Sequence, residues 1–364
     1  MRIAWFRDTA PDLTDPLDDT ASLIDELRAT HEIDVIVETN AHDFVWQHIL
    51  RPWDLCVFEL DHTRAHQFVW AYLLNYPGVL MLRSTTVAPL RVPVLASRSV
   101  VVSNAAVAES LQGACPGAHV RYAPPCGGPK GSAPHNNQQS LAGLFHRESG
   151  ADLLHKQRGA DPSGPRATAF AVFDRRERDV IGRAVQRARD AGAVFDVLNA
   201  DAEPEMIADC DVVIALGWPP FHAAPTAILA GMAAGKAVVT MEMDATAAWP
   251  AVDPQTWRPR GLGITDAPIA VTIDPRDEEH SLMLALRRLS SDAPLRQRLG
   301  DAGHAWWTAH ATPAHAAGAW TPILQEALTL APPPRPDDWP SQFGADGTEL
   351  ARAILSEFGL TTRI

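Results

Sequence analysis

None of the four cysteines, Cys56, Cys115, Cys126 and Cys210, forms a Cys-x-x-Cys pair, which excludes a zinc ribbon and a thioredoxin-type redox motif. The pattern predicts free buried thiols in a reducing compartment. Positive charge is also short. Lys and Arg number 31 against 44 Asp and Glu, a formal net charge of −13. A nucleic-acid backbone needs clustered cations, so it is excluded as a partner. A small anionic ligand is not excluded, because a few local arginines suffice for one phosphate pair. No apolar run reaches the roughly 18–20 residues of a membrane span. The opening MRIAWFRDTAPDL lacks the basic end, apolar run and cleavage site of a signal peptide. The expectation is a soluble, cytoplasmic protein. Nucleotide and hydrolase fingerprints are missing too: there is no G-x-G-x-x-G, Walker loop, H-E-x-x-H or G-x-S-x-G. His304, His310 and His315 are close in sequence but not at a spacing that suits a metal.

What is present is strand–helix alternation in two blocks. The chain has 364 residues, of which 46% are hydrophobic and 21% charged, and a chain of that length divides into two cores. In the first block the patterning predicts strands at Arg2–Phe6, Asp34–Glu38, Asp54–Glu59, Val79–Leu82 and Ser99–Val102. Helices are predicted at Thr20–Thr30, His66–Leu74 and Ala105–Leu111. From Gly127 to Pro165 the composition turns to Gly, Pro, Ser, Asn, Gln and His, a linker with one candidate helix at Ser140–Phe145.

The second block predicts strands at Ala167–Phe173, Ala193–Leu198, Asp211–Leu216 and Ala237–Met241. Its helices are Arg175–Ala191, Pro225–Ala234, Glu278–Ser290, Pro294–His310 and Ala314–Leu328, with Pro322 expected to start or kink a turn of the last. A short helix at Thr348–Phe358 follows a proline-rich break. Alternation of this kind means α/β architecture with two Rossmann-like doubly wound domains. The divisions are an N-terminal domain at 1–126, a linker at 127–165, a C-terminal domain at 166–330 and a tail at 331–364.

Particular stretches resemble a known family. DLCVFELDHTRAHQFVWAYLLNYPGVLMLR looks like the first domain of bacterial GT4-type glycosyltransferases, which have the GT-B fold. CDVVIALGWPPFHAAPTAILAGMAAGKAVVTMEM looks like their donor-binding segment, and DAPLRQRLGDAGHAWWTAH like their closing helices. The resemblance covers most of residues 1–125 and 166–328. It implies two domains facing a cleft, an acceptor side in the first and a donor side in the second. It implies transfer of a hexose from a UDP- or GDP-sugar to a glycan or small-molecule acceptor, with retention, no required metal and no permanently bound cofactor. A homo-oligomer or a partner glycosyltransferase is the implied assembly.

Carried over position by position, the resemblance makes His66 the candidate catalytic residue and His62 a weaker one. For the nucleotide sugar it points to Arg175, Arg176 and Arg178 after the first strand of the second domain, and to His222, Thr226 and Glu242. Arg83 is a candidate phosphate or carboxylate anchor. Each has a plainer alternative: a solvated helix start for the arginines, a capping hydroxyl for Thr226, a structural histidine at 66 and a strand-end arginine at 83.

The sequence also departs from the family. His222 and Ala230 stand where two glutamates are usual, and TDPLDDT, with Pro16, Asp15, Asp18 and Asp19, replaces a Gly-rich turn. Arg83-Ser84 replaces His-Asp, and Val197–Asp211 is short. Carboxylates repel a diphosphate. A second reading therefore stands beside the enzyme: a non-catalytic GT-B-like scaffold, transferase partner or glycan binder.

Overall fold

Short apolar runs set the strands, and period-two alternation within them decides which helices cover which face. The computed structural model describes residues 1–11, 17–61, 66–83, 91–127, 168–172, 178–199, 206–217, 226–243, 246–260, 267–334 and 354–357. The candidate helix at Ser140–Phe145, the linker that contains it, and most of the one at Thr348–Phe358 lie outside these residues.

The first sheet is built from β1 (Arg2–Phe6), β2 (Glu32–Ile36), β3 (Leu55–Leu60), β4 (Val79–Leu82), β5 (Ser99–Val102) and β6 (Val120–Tyr122). They lie in the order β2-β1-β3-β4-β5-β6, all parallel. Between them run α1 (Asp19–Leu27), α2 (Phe44–Leu50), α3 (Gln67–Asn75), α4 (Arg91–Ala96) and α5 (Ala105–Ala114). Ala4, Phe6, Phe58, Leu60, Leu80 and Leu82 point into one core with residues of α2 to α5. Their neighbours Ile3, Trp5, Leu55, Val57 and Val79 point into the other, under α1.

The second sheet contains β7 (Thr168–Val172), β8 (Phe195–Asn199), β9 (Val212–Ala215), β10 (Ala237–Met241), β11 (Ala251–Val252) and β12 (Ala270–Ile273). Its order is β11-β12-β10-β9-β7-β8, again parallel. The helices are α6 (Arg178–Asp190), α7 (Met206–Asp209), α8 (Thr226–Ala233), α9 (Glu278–Ser291), α10 (Ala293–His310) and α11 (Pro313–Thr329). Two doubly wound α/β units are therefore present. The short stretch before β9 contains only the four-residue α7 as its described helix.

In both sheets the chain first steps to one side and then to the other of its first strand. The two reversals fall between β1 and β3 and between β7 and β9. Crevices outside the carboxyl ends of such strand pairs are where ligands bind in open α/β sheets.

By sequence α11 belongs to the second unit, but its apolar face belongs to the first core. Trp320, Ile323 and Leu324 are buried with Ile3, Trp5 and Val57, and the Trp5 and Trp320 rings sit 5.3 Å apart at 42°. At the far end Arg121 donates to both carboxylate oxygens of Glu326, at 2.9 and 2.6 Å. The helix runs on through Pro322, which lacks the N–H that would bond to Gly318. Burial of the flanking Trp320 and Ile323 outweighs that loss, so the helix continues past Pro322 rather than starting anew there. The chain leaving the first unit is also pinned to the second. Trp307 Nε1 donates to the Gly127 carbonyl at 2.7 Å. A Cβ on Gly127 would lie 2.8 Å from Leu229 Cβ of α8, so only glycine allows this approach.

Trp320→Ala is expected to lower stability by about 3–5 kcal/mol. Glu326→Ala, which breaks a half-exposed pair, should cost far less. Chemical denaturation of the two variants measures the difference.

Candidate functional site

At the carboxyl edge of the first sheet the alternation that buries Trp5, Val57 and Met81 under α1 continues with charges. One step beyond Trp5 on the same face is Arg7, one step beyond Val57 is Glu59, and one step beyond Met81 is Arg83. The register Phe6↔Phe58 brings Arg7 level with Glu59. Glu59 is buried, with Arg7 Nε 3.5 Å from its Oε2 and Arg83 Nε 3.5 Å from its Oε1. Thr20 Oγ1 donates to Oε1 at 3.2 Å.

The first turn of α1 closes the group from above. Arg7 donates to both oxygens of Asp18, at 3.0 and 3.2 Å, and Arg83 donates to Asp19 at 2.8 Å. Asp18 caps the helix by accepting from Ala21 N at 2.8 Å, and Asp19 accepts from Thr20 N at 2.9 Å. The positive end of α1 is thus occupied by the chain's own carboxylates. Asp18 and Asp19, expected from sequence to repel a diphosphate, are in fact neutralised by two arginines.

Burial alone would lower the pKa of Arg7 and of Arg83. The surrounding carboxylates, Glu59 and Asp18 for Arg7 and Asp19 and Glu59 for Arg83, outweigh it and raise both. Burial pushes the Glu59 carboxyl above its usual range, while Arg83 and Arg7 pull it back and Asp19 adds to the rise. Beside them Cys126 donates its thiol to the Asp19 carbonyl at 3.4 Å. All four cysteines are free and buried. Burial pushes Cys56 up to about 12 and Cys210 up to about 11, so neither is a nucleophile at neutral pH.

His66 lies at the reversal point itself, just ahead of α3, and is buried. Its Nδ1 is 2.8 Å from Asp61 Oδ1, after β3, and its Nε2 is 3.9 Å from Asp8 Oδ1, after β1. Burial works against the imidazolium. The hydrogen bond to Asp61 and the charges of Asp61, Asp8 and Glu59 reverse that effect and raise the His66 pKa above its ordinary 6.5.

In the second unit Thr226 is the first residue of α8 and is half-buried. Glu242 follows β10 and makes an ion pair with Arg260 at 2.5 Å, while Arg260 also donates to Thr272 Oγ1 at 3.2 Å. Gly217, after β9, takes φ +68°, a turn that a side chain would strain. Arg178 opens α6. Arg175, Arg176 and His222, with His62 of the first unit, lie outside the described residues. The structure therefore brings His66 and Arg83 to one edge of the first sheet and sets Thr226 and Glu242 behind strands of the second. No group of three or more His, Cys, Asp or Glu among the described residues is arranged to hold a metal ion, and no described helix is long and apolar enough to cross a membrane.

Arg7, Glu59, Asp61 and Asp8 were not singled out from sequence. The readable signal was Glu59, a carboxylate inside the otherwise apolar run LCVFEL.

Among solved structures the chain is similar to α,α-trehalose 6-phosphate synthase from Burkholderia multivorans. The TM-score is 0.59 at 12% identity, over 89% of this chain and 98% of that one. It is also similar to Anabaena Alr3699/HepE in complex with UDP and glucose, with TM-score 0.55 at 13% identity over 89% and 99% of the two chains. The catalytic domain of starch synthase IV from Arabidopsis thaliana, bound to ADP and acarbose, gives 0.58 at 10% identity over 90% and 99%. The chain has the GT-B fold. No protein-family model and no curated protein sequence matches it.

Replacing Arg83 with Met leaves Asp19 and Glu59 buried with one cation fewer, an expected loss of about 3–5 kcal/mol. Glu59→Gln, which removes the charge that burial disfavours, is expected to cost clearly less. Denaturant unfolding ranks the two. A second expectation concerns pH. Because the folded pKa of His66 is raised, its contribution to stability is complete below about 6.5 and is lost as pH rises through the folded value. Unfolding free energies measured across that window should fall with pH in the wild type, and His66→Gln should flatten the slope.

Proposed function

We propose that the protein is a glycosyltransferase that moves a hexose from a UDP- or GDP-sugar to a hydroxyl of a glycan or small-molecule acceptor. The observation that carries this reading is the buried cluster of Arg7, Glu59, Arg83 and His66 at the carboxyl edge of the first sheet, beside its reversal point. Taking several charges out of water costs several kcal/mol per ion, and apolar residues of similar volume commonly give a more stable core. Such clusters gather at functional sites. The fold supports the same reading: HepE is described in complex with UDP and glucose and starch synthase IV bound to ADP and acarbose.

In this reading residues 1–126 form the acceptor side and residues 166–330 the donor side, joined by 127–165. The donor diphosphate lies at the second sheet's reversal point. There the first turn of α8, with Thr226, presents the N–H groups that a helix start leaves without an intrahelical partner, and Arg175, Arg176 and Arg178 supply charge without a metal. Glu242 and His222 contact the sugar or ribose. The GT4-type resemblance in sequence supports retention and a cytoplasmic setting. His66 donates to an oxygen at the reacting centre.

One observation favours a second reading, a non-catalytic scaffold or glycan binder. The positive end of α1 is filled by Asp18 and Asp19.

Calorimetry with UDP, GDP, ADP and UDP-glucose separates the two. Binding is expected, and Arg175→Ala with Arg178→Ala should weaken it about tenfold or more, since a charge-assisted hydrogen bond contributes about 1.5–3 kcal/mol. Thr226→Ala should weaken it less. Failure of the whole panel to bind, together with no release of UDP from UDP-glucose, removes the enzyme reading.

A further inference from the structure

We propose that the outward face of α2 docks a second copy of this chain, the two α2 helices packing antiparallel across a twofold axis. The inference goes beyond the transferase reading and does not depend on it. It starts from a helix whose two faces are unlike.

The inward face carries Phe44 and His48, one turn apart. Their rings and that of Trp53 stack on one another, with centroids 4.9 to 5.9 Å apart. Trp53 is fixed in turn: its Nε1 donates to Asp34 at 2.7 Å, and the Arg2 guanidinium lies 4.1 Å from its ring centroid. The helix is therefore held rigidly. The outward face carries Val45, Trp46, Ile49 and Leu50, a spacing that makes one apolar ridge. Trp46, Ile49 and Leu50 are 70%, 65% and 84% exposed. Among the described residues the other exposed large apolar side chains, Tyr122, Val194, Leu328 and Ile354, belong to four separate segments. Single exposed residues need no explanation, whereas a contiguous patch marks an interaction site.

Charge selects the occupant. The polar residues bordering the ridge are His42, Asp43, Gln47 and Arg51, with Glu32 from β2. Arg51 is the one Lys or Arg in that group, and it pairs with Glu32 at 2.6 Å. A helix that lies on anionic lipid carries several such cations, so the border does not suit a membrane. It suits itself. Asp43 precedes the first residue of α2 and Arg51 follows the last, and both are exposed. A twofold axis level with Gln47 runs the two helices antiparallel. It sets Asp43 of each copy opposite Arg51 of the other, and Val45 and Trp46 of one against Ile49 and Leu50 of the other. Parallel helices would place like charges together. Glu32 also has Arg2 at 3.3 Å, so it keeps a cation when Arg51 turns to the second copy. The net charge of −13 opposes self-association in general, which confines pairing to a patch whose own charges cancel. One ridge with its border is a small interface, and a weak, reversible dimer is expected.

Sedimentation velocity of the full chain over a concentration series is the test. The wild type should pass from monomer to dimer. Leu50→Glu should stay monomeric over the same range, with its far-ultraviolet circular dichroism unchanged because the position is solvent-facing. Asp43→Arg alone and Arg51→Glu alone should each weaken the dimer about tenfold or more, since like charges then meet at two places. An equal mixture of these two variants should dimerise as the wild type does, because every charge again meets its opposite. A structural defect in either variant would not be repaired by mixing. A wild type that stays monomeric, a Leu50→Glu variant that still dimerises, or a mixture that does not recover overturns the proposal. Vesicles of phosphatidylcholine with phosphatidylglycerol should not bind the wild type. Flotation with them that Leu50→Glu abolishes gives the face to lipid and overturns it as well.

Discussion

The carboxylate of Glu59 is buried between two guanidiniums, and the upper edge of the first sheet is organised around that fact. A lone buried carboxylate costs several kcal/mol. Arg7 and Arg83 compensate it, which leaves two cations in need of further partners, and the first turn of α1 supplies Asp18 and Asp19. Those aspartates in turn fill the helix N-terminus, where a ligand's phosphate would otherwise be welcome. One strand residue thus propagates into the chemistry of the whole edge. It leaves His66, flanked by Asp61 and Asp8, as the polar group set apart from the arginine network.

On the proposed reading this arrangement divides labour between the sheets. The first has spent its arginines on its own carboxylates, so it is poorly suited to a diphosphate and better suited to hydroxyls. The second carries the arginines that follow β7 and the N-terminus of α8. In that reading the two reversal points correspond to two kinds of ligand group, and Asp18 and Asp19 belong to the acceptor side.

Much of the fold was legible because buried parallel strands read as continuous apolar runs. Val79–Leu82, Ser99–Val102 and Ala237–Met241 emerged with the boundaries the sequence predicts. Val120–Tyr122 did not, since a three-residue edge strand containing Arg121 has too few apolar positions for a period to show. Ala270–Ile273 is only four residues long and contains Thr272, too short a run for a period to show although a predicted helix follows it. At the site, His66 was legible through its place before a helix. Its partners were not: Asp61, five residues earlier, belongs to no motif that would mark it, and the Arg7–Glu59 and Asp8–His66 pairs join residues more than fifty apart in sequence. Only the sheet register puts them side by side.

Helix α11 has a consequence for how the chain is made. The face of the first sheet that holds Trp5 and Val57 receives Trp320 and Leu324 from almost the end of the protein. When residue 126 leaves the ribosome, α11 has still to be synthesised, some 190 residues later. At about 5–20 residues per second that interval lasts roughly 10–40 s. Throughout it the nascent first unit presents an apolar face to its surroundings. A fragment ending at 126 would never lose that liability. The unit that comes first in the sequence is therefore the last to be finished.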